Sequence, residues 1–252
     1  MAWARARHIA RNPVQSAIRI TTHALVRAQT HGRVVDGPFA GMWYGIPVPH
    51  LPAYLGTYEM ELRPLVAQLA ETRFDVLINA GAGDGYYAVG LARLWPAAET
   101  VAFELTPAKQ ANVRRVAAAN GVDARLRVEG ACTPRRLDEL TREAERPLVW
   151  MDVEGAEVEL LDPGVAPGLR SAEIVVELHD FLVPHARELL EARFASTHRQ
   201  HLVSAGCRRV EHFPLRGRFW RTAVGRAAAC EAMEERRPRP QDWLHLRPRG
   251  VS

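Results

Sequence analysis

The chain predicts an α/β protein built on a mostly parallel sheet with helices on both faces. Short, β-branched apolar runs recur from Phe74 onward, helix-like segments separate them, and the first run leads straight into a glycine-rich turn. The strand runs are DVLINA, TVAFEL, ARLRVEG, PLVWMDV and AEIVVEL. The helical pieces are YYAVGLARLW, PAKQANVRRVAAAN, TPRRLDELTREAE, AEVELLD and PHARELLEARF. Strands that alternate with helices form βαβ units, whose crossovers cover both faces of the sheet. Toward the end, CRRVEHFPL and DWLHLRP predict two further strands, possible partners in an antiparallel pair, with a helix over GRAAACEAMEERR between them.

Before Phe74 the composition differs. The segment HGRVVDGPFAGMWYGIPVPHLPAYLGTYEMELRPLV is rich in glycine, proline and aromatics and predicts an irregular cap running into a helix that begins near Thr57. Pro64 belongs in the first turns of that helix, where a missing amide hydrogen costs least. The first 35 residues hold six arginines and no acid and predict a helical extension; a transit or membrane-surface segment is the minor alternative. The expected division is an extension and cap over 1–70 and one α/β domain over 71–252.

The 252 residues are 47% hydrophobic and 25% charged, ordinary values for a globular chain that buries a core. Net charge is +4, with Lys109 the single lysine, and no basic tract is long enough to suggest nucleic acid. No apolar run approaches the ~20 residues of a membrane span, so stable membrane insertion is not expected. Cys132, Cys207 and Cys230 lie far apart, which predicts neither a disulfide framework nor a zinc site but a reducing, cytoplasmic setting.

Chemistry enters at VLINAGAGDGYYAVG, where Gly81, Gly83 and Gly85 alternate after the first strand. In an α/β sheet a ligand lies beyond the carboxyl ends of the strands, at such a turn. A nicotinamide site would show G-x-G-x-x-G with the pyrophosphate on a helix N-terminus. Here the glycine spacing differs, and Asp84 inside the loop would repel phosphate. The ligand that fits has a ribose and an adenine without phosphate. At the end of the second strand Glu104 supplies the carboxylate a ribose diol needs, although capping of the helix at TPAKQ would also account for it.

NAGAGDGYYA with AFEL resembles the first two motifs of class I S-adenosylmethionine-dependent methyltransferases, and WMDVEGAEVELL with IVVELHDF resembles their FkbM-type family over about residues 74–182. The resemblance implies a Rossmann-like, seven-stranded sheet, S-adenosylmethionine as methyl donor, and transfer to the hydroxyl of a small-molecule acceptor. It places Asn79, Gly81, Ala82, Gly83, Gly85, Tyr86, Glu104, Leu105, Ala131, Cys132 and Asp152 around the cofactor. Two positions depart from the wider pattern. Asn79 stands where many methyltransferases carry an acid, and Ala131 and Cys132 stand where an aspartate often receives the adenine amine. Glu129 or a main-chain carbonyl is left for that role.

Asp152 falls at the end of the fourth strand, beside the expected reacting centre, as a group that orients the acceptor or binds the methionine moiety. Gly155 permits a tight turn, and Glu157 reads chiefly as a cap in the first turn of the next helix. Glu177 and His179, two apart in an extended run, share one face, with Asp180 opposite if the strand continues. His179 is a candidate base for an acceptor hydroxyl. Asp152, Glu177 and His179 together raise the possibility of a divalent cation, but the sequence offers no unambiguous third oxygen ligand and no metal is assigned. Tyr86 and Tyr87 sit where the methionine end would lie. Trp43, Tyr44, Tyr54 and Tyr58 in the cap fit an acceptor wall and local core equally, and Gly56–Glu59 is a candidate return to the pocket. The alternatives to small-molecule O-methylation are N-methylation, action on a protein or glycan, and a catalytically inactive binding module. No N/D-P-P-Y-like run follows the fourth strand, which disfavours amide and base nitrogens.

Overall fold

The computed structural model describes residues 13–46, 50–237 and 239–250. The extreme N-terminal part of the Arg-rich segment lies outside the described residues. These residues form two compact units, one ending at Met60 and including Cys207–Arg236, the other comprising Glu61–Gly206 and the chain from Arg237. Residues 207–236 thus group with the N-terminal segment, and the break falls at 60 where composition suggested 70.

The larger unit holds the expected sheet. Its strands are β1 (Val76–Ala80), β2 (Glu99–Phe103), β3 (Leu126–Glu129), β4 (Pro147–Met151), β5 (Glu173–Glu177), β6 (His198–Val203) and β7 (Trp243–Pro248). Their order is β3-β2-β1-β4-β5-β7-β6. The first five run parallel, and β7 pairs antiparallel with both β5 and β6. The sheet is seven-stranded, mostly parallel and Rossmann-like in its order. The chain builds outward from β1 in both directions, so the sheet order reverses between β1 and β4. A crevice opens at the carboxyl ends of strands at such a reversal.

Helices α3 (Arg63–Leu69), α4 (Tyr86–Leu94), α5 (Pro107–Ala119), α6 (Pro134–Glu143), α7 (Glu157–Leu160) and α8 (Ala186–Phe194) belong to this unit. Several begin as elementary chemistry prescribes. Pro64, Pro107 and Pro134 sit at first-turn positions, and Thr133 Oγ1 accepts the Arg136 amide at 3.2 Å. The helix expected from Thr57 starts later, as a 3-10 turn at Met60–Leu62 that continues into α3.

One sheet face packs Ile78, Val101, Val149, Met151, Ile174, Val176 and Leu244 in a continuous apolar core. On the other face Trp150 is fully buried, stacked on Tyr87 at 4.6 Å and tilted against Trp243 at 5.5 Å. The predicted strand CRRVEHFPL is not one: it contains only a short turn at Val210–His212, and β6 lies earlier. An edge strand pairs on one side and tolerates polar residues on its faces. HRQHLV therefore lacks the apolar signature of the central strands, and His198 is buried there by bonding through Nε2 with the Ala172 carbonyl at 2.9 Å.

The smaller unit contains α1 (Pro13–Thr30), α2 (Leu51–Leu55) and α9 (Ala223–Met233). Tyr44 and Tyr54 are buried in it with rings 5.9 Å apart, which favours local core over an exposed wall for these two aromatics. The Gly56–Glu59 stretch is tied down inside this unit. Arg208 Nε donates to the Thr57 carbonyl at 2.9 Å, and the Glu59 amide donates to Glu235 Oε1 at 2.8 Å. Among the described residues no helix is long and apolar enough to cross a membrane, and all three cysteines are free thiols.

Trp150→Ala removes the centre of the aromatic stack and is expected to cost about 3–5 kcal/mol, measured as the loss in urea unfolding free energy with unchanged m-value.

Candidate functional site

The three glycines do different jobs. A Cβ on Gly81 (φ +80°) would lie 1.6 Å from the Asp152 carbonyl oxygen, because the chain leaving β4 runs against this residue. A Cβ on Gly85 (φ +92°) would lie 3.1 Å from Val113 Cα on α5. Gly83 (φ +54°) faces open space, with no atom within 4 Å of where its Cβ would be. Packing accounts for the first and third glycines, and the middle one bares its backbone to the crevice.

Glu104 is tied to that middle glycine. Its Oε2 accepts the Gly83 amide at 2.9 Å and its Oε1 the Thr106 amide at 2.7 Å, while its carbonyl accepts Gln110 Nε2 at 2.7 Å. The helix-capping role and a ligand role are compatible, since a carboxylate has about four acceptor directions and two are in use. Leu105 beside it is 74% exposed, a large apolar side chain left uncovered. Asp84 is engaged by Asn112 Nδ2 at 2.7 Å. Asn79 donates from Nδ2 to the Trp150 carbonyl at 3.1 Å, and its buried Oδ1 has no hydrogen bond. Ala82 and Tyr86 are buried in and after the loop.

Past β3 the side chains are less inviting. Arg136 binds both oxygens of Glu129, at 2.8 and 3.1 Å, and holds its carboxyl below the usual range. Ala131 is exposed. Burial, with the Glu129 charge adding to it, pushes the Cys132 thiol up to about 12, so it is a neutral side chain packed against the core.

At the ends of β4 and β5, which are parallel neighbours, the structure brings Asp152, Glu177 and His179 together. His179 is fully buried, and its Nδ1 meets Glu157 Oε1 at 2.6 Å. Its Nε2 lies 3.3 Å from Glu177 Oε2, 3.5 Å from Glu154 Oε2 and 3.7 Å from Asp152 Oδ1, yet makes no hydrogen bond. Asp152 Oδ1 is likewise buried without a partner. Glu177 is paired with Arg237. Asp180 points to other work, accepting the Arg187 amide of α8 at 3.0 Å.

Burial, reinforced by Glu177, raises Asp152 well above the usual carboxylate range. Burial alone would lower the His179 pKa, but the carboxylates of Glu157 and Glu177 outweigh it and push it up to about 10. Glu157 is held below its usual value despite burial by His179 and the Gly155 amide, which it accepts at 3.1 Å.

Three residues here escaped the sequence analysis or were undervalued by it. Glu157 Oε1 accepts the Gly155 amide just ahead of its helix and also holds the imidazole. Glu154 comes in through the turn, in the left-handed region at φ +55°. Arg237 arrives from 60 positions away, and no local pattern announces it.

No family model matches the chain, and no curated protein matches it. Solved structures do. A precorrin-6y C5,15-methyltransferase from Geobacter metallireducens is 15% identical with a TM-score of 0.49, covering 74% of this chain and 87% of its own. An O-methyltransferase from Bacillus cereus, solved with SAH, is 12% identical with a TM-score of 0.47, covering 91% and 90%. A human methyltransferase 10 domain containing protein is 13% identical with a TM-score of 0.47, covering 92% and 96%.

The two loop glycines nearest β1 separate packing from conformation. Gly81→Ala should cost on the order of 4 kcal/mol or more, since the obstruction is backbone. Gly83→Ala should cost only about 1–2 kcal/mol for the left-handed conformation. Urea unfolding of both variants measures the difference.

Proposed function

We propose that the protein is an S-adenosylmethionine-dependent methyltransferase that methylates a hydroxyl oxygen of a small molecule. The observation that carries this reading is Glu104, a nearly buried carboxylate bonded to the amide of an open-faced Gly83 at the reversal point of the sheet. The residues fit the cofactor's chemistry. Glu104 keeps two acceptor directions for a ribose diol, and the glycine loop offers backbone rather than cationic side chains. Leu105 supplies an exposed apolar surface for a flat base, and Asn79 has an unused buried acceptor for an ammonium group.

When bound, S-adenosylmethionine supplies a methyl group on a sulfonium sulfur, which keeps the S–C electron pair as the acceptor oxygen forms the new O–C bond. The protein's own tasks are then alignment, exclusion of water and receipt of the acceptor's proton. Asp152 Oδ1, buried and without a hydrogen bond, is the atom to which an acceptor O–H would donate. His179 and Glu177 border it, the former fixed by Glu157 and the latter by Arg237. Phe181, with its ring 5.8 Å from that of His179, and the partly exposed Leu182 give the same region an apolar side suited to a small organic acceptor.

Glu104→Ala should weaken S-adenosylhomocysteine binding by roughly tenfold or more through the lost ribose hydrogen bonds. Calorimetric titration of the folded variant, checked by circular dichroism, measures this. Unchanged affinity would refute the assignment of Glu104.

A further inference from the structure

We propose that Asp152, Glu154 and His179 form a binding site for one divalent cation, with Glu157 as the residue that positions the imidazole. The site stands on the geometry of the cluster and does not depend on the identity of the cofactor. Only the role of the cation, to bind and polarise an acceptor oxygen, rests on the function proposed above.

One ligand atom from each of the three residues falls within 4.8 Å of the others. A group of acids at a loop would not by itself indicate a ligand. The second observation is His179. The side chain is fully buried, its Nδ1 is committed to Glu157 at 2.6 Å, and its Nε2 is aimed at Asp152 and Glu154 without a hydrogen bond to either. With Nδ1–H held by the Glu157 carboxylate, a cation that displaces the Nε2 proton meets a lone pair already aimed at the two carboxylates. This is the arrangement by which proteins orient a metal-binding histidine.

The spacings favour a shared ion over direct contact. Nε2 lies 3.7 Å from Asp152 Oδ1 and 3.5 Å from Glu154 Oε2, at or beyond the limit of a hydrogen bond, and the nearer Glu177 Oε2, at 3.3 Å, makes none with it either. Two ligands each about 2.1 Å from one ion stand roughly 3–4 Å apart, depending on the angle between them. Asp152 Oδ1 is buried and also lacks a partner, so two orphaned atoms of complementary ligand type face one another. Glu154 supplies the third oxygen that the sequence did not reveal. Its side chain is 76% exposed, which gives an ion a path from solvent and leaves room for water to complete the coordination. Glu177 borders the site through Oε2, 3.3 Å from His179 Nε2, with its charge offset by Arg237 at Oε1.

One imidazole nitrogen with two carboxylate oxygens suits manganese-like or zinc-like ions better than calcium, which prefers oxygen throughout. The probe is therefore Mn2+, followed by loss of the free-ion electron paramagnetic resonance signal on titration into the full chain without cofactor. One ion bound per chain is expected. Glu154→Gln alters an exposed side chain that the fold does not need, and should weaken uptake by about tenfold. Asp152→Asn should weaken it further, and Glu157→Gln by about 10–100-fold as an orienting partner. Absence of uptake, or uptake that Glu154→Gln and Asp152→Asn both leave unchanged, would overturn the site. A parallel S-adenosylhomocysteine titration in chelator separates the two proposals. Cofactor binding without Mn2+ uptake removes only the cation site, and Mn2+ uptake without cofactor binding removes only the methyltransferase reading.

Discussion

The missing side chain at Gly81 is the constraint from which the site follows. The Asp152 carbonyl occupies the space a Cβ would need, and the Asp152 amide donates to the Ala80 carbonyl at 2.9 Å. On its other side the amides of Gly81 and Ala82 donate to the Phe103 carbonyl at 3.0 and 2.8 Å. One residue is thus clamped between the exits of β2 and β4. Glu104 leaves from the first exit and Asp152 from the second, so their placement relative to the glycine loop is set by main-chain bonds. A larger residue at 81 would separate the exits whatever ligand the crevice takes.

The second dependence is electrostatic. Asp152, Glu154, Glu157 and Glu177 surround one imidazole, and Glu157 and Glu177 have almost no exposure. Removing carboxylates from water is unfavourable unless they are paired and hydrogen-bonded. His179 and the Gly155 amide do this for Glu157, and Arg237 does it for Glu177. Asp152 Oδ1 has no such partner, and neither has Glu157 Oε2; an uncompensated buried polar atom at the carboxyl ends of the strands marks a place for a ligand.

Much of this was legible in the sequence, for reasons that differ by element. Strands β1, β2, β4 and β5 are covered on both faces, so their residues are apolar almost throughout and stand out from the helices between them. Strand β6 was missed because an edge strand is under no such demand, and its HRQHLV is mostly polar. The glycine loop and Glu104 were visible because a turn and the strand that follows impose fixed spacings. The His179–Glu157 pair was half visible. Each residue was noted, but the contact joins positions 22 apart and exists only because β4 and β5 are neighbours. Glu154 had no signal beyond membership in a turn, and Arg237 returns from the far side of a segment that packs in another unit.

On the function proposed above, this reversal point holds an adenosine-bearing cofactor without a pyrophosphate. Calorimetric titration of the unmodified protein with S-adenosylhomocysteine and, separately, with NADH tests it most directly. Micromolar binding of the first and none of the second is expected. Binding of NADH, or of neither ligand, would contradict it.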